Sequence, residues 1–231
     1  MKTTLREIYG HIPCSDGFAQ LIYSVTGRKE FPGTGISDQF SLLTEDEKNR
    51  EIGLIEILEY NGIAHAVWAL RCFEYRDYCL FLAEVAESVL PIFEAEHPDD
   101  DRPRKAIEAV RDFHYGKISP EELAAAQDAA EKTGIRDIGE AAGDAAWAAA
   151  EAAEDDAWSF ASNVVRRTLL ATYKAAAPGI SGHLGVTATT DACTAKWKEI
   201  ENLFIKHFGE KIKTTFDVKG TVFWRKNENN I

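Results

Sequence analysis

Between positions 68 and 89 the apolar residues recur four and three apart: Trp68, Cys72, Tyr75, Cys79, Leu82, Ala86 and Val89. A helix turning every 3.6 residues lines such residues along one face, whereas a half-buried strand needs a period of two. Arg71, Glu74, Arg76 and Asp77 fall largely off the stripe. The spacing predicts a long amphipathic helix beginning near Ile63, which Pro91 kinks or ends because proline lacks the N–H a helix interior needs. One apolar stripe cannot be buried alone, so the chain must supply further helices to cover it.

The flanking segments carry the same signal. Residues 104–114 read as a helix with Ala106, Ile107, Val110 and Phe113 inward, closed by Tyr115-Gly116. Ser119-Pro120-Glu121-Glu122 follows as a helix start, with Ser119 and Glu122 spaced as a capping box and Pro120 at the first position. The Ala-rich tract 138–177 reads as a packed bundle helix in which Trp147 and Trp158, close to three turns apart, share a face. Residues 192–208 form a further amphipathic helix through Trp197, Ile200, Phe204 and Phe208. Upstream, residues 5–9 open a short helix, and Cys14-Ser15-Asp16-Gly17 is a turn and cap before an apolar helix at 18–25. Gly27, Pro32, Gly33 and Gly35 make a loop of 27–38. Thr44 and Glu47 form a capping box for a helix at 45–60 that Asn61-Gly62 ends. Downstream, 186–190 is a Thr-rich loop or strand, and 214–224 alternates weakly, as a hairpin around Lys219-Gly220 would. The fold class expected is mainly α, a helical bundle with a small mixed α/β C-terminal element. Its three units are 1–62, 63–177 and 178–231.

Charge limits the partners. The formal net charge over 231 residues is -12, which argues against general nucleic-acid binding, since phosphate contacts need Lys and Arg. It suits a partner with a basic surface, through long-range attraction. The C-terminal end is basic, through residues such as Lys196, Lys206 and Lys219, and is expected to meet the acidic middle within one molecule or between two. None of the four cysteines (Cys14, Cys72, Cys79, Cys193) belongs to a CxxC pair; Cys72 and Cys79, a heptad apart on an apolar helix face, read as buried free thiols. Met1 to Gly10 has no apolar run of the kind a signal peptide carries, and no stretch approaches the roughly 20 apolar residues of a membrane span. A cytoplasmic protein is expected.

No catalytic set stands out. HExxH, GxSxG and P-loop motifs are absent, and Gly33-Thr34-Gly35 has no strand before it, so it reads as a turn. His97 with Asp99 and Asp101 has the donor types of a metal site but no second His or Cys at ligand spacing. Glu94, Glu96 and His97 have the chemistry of an acid/base cluster without a nucleophile to serve. The protein is therefore expected not to be an enzyme and to hold no cofactor or metal; a metal-dependent hydrolase is kept as a second alternative.

Two charged features remain. In Asp99-Asp100-Asp101-Arg102-Pro103-Arg104, acids stand at the start of a helix, where unpaired N–H groups favour them. Arg102, Arg104 and Arg111 are expected to pair with nearby acids, among Asp99, Asp100, Asp101, Glu108 and Asp112, and to hold the helical layer together. The second feature is an acidic outer face over 137–156, in which Asp144, Glu151, Glu154, Asp155 and Asp156 are the candidate partner-binding residues.

Val89-Leu90-Pro91-Ile92-Phe93-Glu94, the phrase Pro98-Asp99-Asp100-Asp101-Arg102-Pro103-Arg104, then Arg111, Gly116 and the Ala-rich tract resemble, in that order, a family of helical immunity proteins of bacteria and prophages. The resemblance spans about 64–177. Phe113 and His114 stand where the family has a Trp-Ala ending. The resemblance implies a protein that binds and occludes a toxin or nuclease effector. It marks Asp99, Asp101, Arg102, Pro103, Arg104 and Arg111 as the family motif, with a structural role. Another reading is a phage-encoded inhibitor of a bacterial defence system, such as an anti-CRISPR that mimics nucleic acid; a structural homodimer is a further one.

Overall fold

The computed structural model describes residues 1–28, 35–134, 141–152, 160–176 and 191–209. Among the described residues there are thirteen α-helices and one small sheet, so the chain is mainly α. The expected hairpin at 214–224 and the segment 186–190 lie outside them.

The N-terminal helices wrap around the sheet. Strand β1 (Lys2–Thr4) leads into α1 (Leu5–Gly10), α2 (Ser15–Thr26), α3 (Ile36–Ser41) and α4 (Glu45–Asn49), then β2 (Glu51–Gly53) and α5 (Leu54–Asn61). The helix expected over 45–60 is thus two helices with a strand between them. Thr44 and Glu47 form their capping box, Thr44 N–H donating to Oε2 at 2.8 Å and Glu47 N–H to Oγ1 at 3.3 Å. Yet Arg50 leaves helical geometry at φ -58°, ψ 127°. The cause is long-range: Thr3 pairs with Ile52 in an antiparallel ladder, and Ile52 is fully buried. No local signal reports a partner strand 49 residues away. Gly62, at φ 78°, closes α5 as its sequence implied.

The long stripe is likewise divided, into α6 (Ile63–Trp68), a 3-10 turn (Ala69–Cys72), α7 (Tyr75–Glu87) and α8 (Leu90–Glu96). Phe73 breaks the first junction by taking extended geometry. Pro91 does not end a helix but lies in the first turn of α8, where its missing N–H costs nothing. The stripe still faces inward: Tyr75, Cys79, Leu82, Ala86 and Val89 are buried.

Helices α9 (Arg102–His114) and α10 (Pro120–Gly134) follow. In α9, Ala106, Ile107, Val110 and Phe113 are buried as the periodicity required. Ser119 and Glu122 cap α10 reciprocally, at 2.8 and 3.3 Å. The Ala-rich tract, expected as one helix, contains two: α11 (Ala141–Ala152) and α12 (Phe160–Ala176), packed against each other. Trp147 is on α11; Trp158, expected to share its face, lies outside the described residues. Helix α11 is surrounded by α7, α8, α9, α10 and α12. Ala148, Ala149, Ala150 and Ala152 are fully buried there, because small side chains let five neighbours approach. Helix α13 (Asp191–Phe208) completes the bundle, burying Ile200, Phe204 and Phe208 against α7 and α12.

The core is continuous from Leu5 to Phe208. No helix among the described residues is long and apolar enough to cross a membrane.

Candidate functional site

The charged phrase at the start of α9 is used up by internal ion pairs. Arg102 grips Asp100 with a fork, Nε to Oδ1 at 2.8 Å and Nη2 to Oδ2 at 2.5 Å, while its backbone N–H donates to the same carboxylate at 3.2 Å. That geometry is the bidentate match of guanidinium and carboxylate, and Asp100 holds the Arg102 guanidinium above its ordinary pKa. Asp101 pairs with Lys105 one turn on, at 2.9 Å. Arg104 reaches back to Glu94 of α8 at 2.6 Å, and Arg111 to Glu87 of α7 at 2.5 Å. Pro103 is buried in the first turn of α9, and Asp99 is exposed. Each of the three arginines is thus paired with an acid of the same molecule. For Arg104 and Arg111, however, the partners come from earlier helices rather than from the neighbouring acids, so these side chains tie α9 onto α7 and α8.

His97 packs its ring on Phe93, with centroids 4.8 Å apart. Among the described residues no three His, Cys, Asp or Glu side chains gather as a metal cage would require.

The acidic face is only partly described. Glu151 is 7 % exposed, and its Oε1 lies 3.6 Å from Nε of Arg167, whose guanidinium also stacks over the Trp147 ring at 5.2 Å. It faces the interior of the bundle and cannot belong to a solvated outer face, because α11 is a central helix rather than a peripheral one. The side chain of Asp144, and Glu154, Asp155 and Asp156, lie outside the described residues. The basic end meets an acid within the same molecule: Lys206 and His207 of α13 both contact Oε2 of Glu84 on α7, at 2.7 and 3.3 Å. Burial alone would raise the Glu84 carboxyl, but the bonds from Lys206 and His207 outweigh it and hold the group below its usual pKa.

The sequence did not single out a cavity of about 370 Å³ between the N-terminal helices and α12 and α13. Its wall is mostly apolar, with Phe18, Leu21, Ile57, Val165, Leu169 and Trp197 contributing. Cys14, Asn61 and His65 line it as well. Cys14, the residue preceding α2, is exposed. Its Sγ is 3.8 Å from Nε2 of His65. The only hint in the sequence was Cys14-Ser15-Asp16-Gly17 itself, a helix start bearing a thiol, with a glycine one turn along. Its partner is 51 residues away, beyond the reach of any local pattern.

An all-α bundle held by charged staples on a central Ala-rich helix is the class this architecture defines. Within it, residues 69–155, from the 3-10 turn through α11, match the family described as Imm-5 like putative immunity protein. The match contains the Leu-Pro phrase, the Asp-Arg-Pro-Arg phrase and the first half of the Ala-rich tract. No curated protein and no solved structure matches the chain.

Proposed function

We propose that this protein neutralises a toxic protein effector by binding it and occluding its working surface, without catalysis of its own. The observation that carries the reading is the family match over 69–155. The staples fit it: once Arg102, Arg104 and Arg111 are committed to internal acids, the phrase supports a surface rather than being one. The partner is expected to be basic. A formal net charge of -12 accelerates encounter with a basic partner and favours its orientation. The residues proposed to meet it are Asp144, Glu154, Asp155 and Asp156; buried Glu151 is withdrawn from the set.

The test is co-expression with the toxic product of a neighbouring gene, followed by calorimetry at low and high salt. A stoichiometric complex that rescues growth and weakens as salt rises is expected. Neutralising Asp144, Glu154, Asp155 and Asp156 together should weaken binding chiefly through slower association. A chain that forms no complex with any such product overturns the proposal. Displacement of the protein from a nuclease by DNA would instead favour a nucleic-acid mimic.

A further inference from the structure

We propose that Cys14 is an acyl-acceptor thiol, taking the acyl group of an acyl thioester whose apolar tail lodges in the cavity beneath it. The inference is independent of effector binding.

Three features join at this point. The first is the orientation of His65. Its Nδ1 is 2.8 Å from the Asn61 carbonyl oxygen. A carbonyl only accepts, so Nδ1 is the donor in this bond, and the tautomer it selects presents Nε2 as the acceptor toward the Cys14 sulfur. Asn61 is itself fastened to α2, its Nδ2 donating to the Gly17 carbonyl at 2.8 Å. The end of α5 therefore aims the imidazole at the start of α2.

The second feature is Gly17. A Cβ there would lie 2.5 Å from Nε2 of His65 and 2.9 Å from Sγ of Cys14. Glycine is a poor helix former, yet one stands in the first turn of α2, where only the missing Cβ lets ring and sulfur approach.

The third is the cavity. It is at the small end of the range for ligand pockets, roughly 300–1,000 Å³. Its mostly apolar wall accepts a hydrocarbon chain, with Arg166 as the one cationic side chain in the lining. The exposed side of Cys14 leaves the carrier in solvent, so the tail enters and the leaving group departs outward.

The step is a thioester exchange with no redox change. Sγ attacks the carbonyl carbon while its proton passes to Nε2 of His65. The tetrahedral intermediate collapses, the bond from carbon to the carrier sulfur breaks, and the carrier thiolate takes up the proton from His65. The products are acyl-Cys14 and a free carrier thiol.

The full-length protein is incubated with octanoyl-coenzyme A or acetyl-coenzyme A and followed by intact mass. One hydroxylamine-labile octanoyl group is expected, absent in Cys14→Ser. Octanoyl transfer should exceed acetyl transfer at least about tenfold if the cavity selects the tail, and His65→Gln should slow it about a hundredfold or more, the lower end of what positioned proton transfer provides. Gly17→Ala should do the same while the far-ultraviolet circular dichroism is unchanged. Equal octanoyl and acetyl rates, an adduct that persists in Cys14→Ser, or wild-type rates in His65→Gln each overturn the proposal. Because His65 is only half-buried, its variant remains a valid test should Gly17→Ala fail to fold.

Discussion

Arg111 on α9 holds Glu87 at the end of α7, with Nη2 2.5 Å from Oε2 and Nη1 3.3 Å from Oε1. Together with Arg104 on Glu94, this contact turns a charged helix into a clamp over the two helices that precede it. Both side chains of the Arg111–Glu87 pair remain a third or more exposed, so solvent screens the pair, and its worth is that of a favourable surface fork rather than of a buried charge.

Arg111→Ala is accordingly expected to lower the unfolding free energy by about 0.5–1 kcal/mol. In a double-mutant cycle with Glu87→Ala, most of that loss should appear as coupling. Urea denaturation of the four proteins measures it, and additive effects would show that the pair is incidental.

Native thiol labelling should separate one cysteine from three. Cys14 is exposed, whereas Cys79 and Cys193 are buried and Cys72 is partly buried. Burial pushes the Cys79 thiol up to about 11 and raises Cys72 as well, which withholds the reactive thiolate at neutral pH. A disulfide reagent is expected to modify one thiol quickly in the folded protein and the other three only on unfolding. Cys14→Ser should abolish the fast phase.

Glu84 predicts an acid-side loss of stability. Its folded pKa lies below the ordinary 4.5 because the bonds from Lys206 and His207 outweigh burial. The unfolded chain therefore binds the proton more readily, so the contribution is present above the unfolded value and disappears as pH falls through the lower folded one. Glu84→Gln should flatten the fall in stability below about pH 4.5. Melting temperatures across acid pH, wild type against variant, measure this; parallel curves would contradict it.

Helix α11 should tolerate almost no added volume. Ala149 is fully buried among five neighbouring helices, so Ala149→Leu is expected to cost about 1–3 kcal/mol by overpacking. Ala125→Leu, on the exposed side of α10, should stay within about 0.5 kcal/mol. Chemical denaturation of the two variants provides the comparison.

Much of the local architecture was legible in the chain. The capping boxes at Thr44–Glu47 and Ser119–Glu122, the Asn61-Gly62 stop and the inward residues of α9 and α13 all follow from groups within a few positions of each other. The pairing of Arg102 was legible for the same reason, since its partner Asp100 is two residues away. The family resemblance, which lies within one contiguous stretch, was legible too.

What the chain could not disclose depends on partners distant in sequence. β2 interrupts an otherwise helical stretch because β1 completes its ladder, and Arg104 and Arg111 choose acids on helices already folded beneath them. A helix's alanines do not reveal how many neighbours surround it, so the stretch 137–156 read as an acidic outer face, whereas α11 lies among five helices and takes Glu151 inside. Cys14 and His65 are brought together only when the end of α5 docks on the start of α2. Local patterns were enough for the helical character, the caps and the apolar faces, because these follow from hydrogen bonding and periodicity over one or two turns, but not for where the helices break. Tertiary structure alone decided which side chains became staples, which carboxylate was buried and which thiol faces an imidazole over a cavity, because those outcomes depend on which surfaces exclude water together.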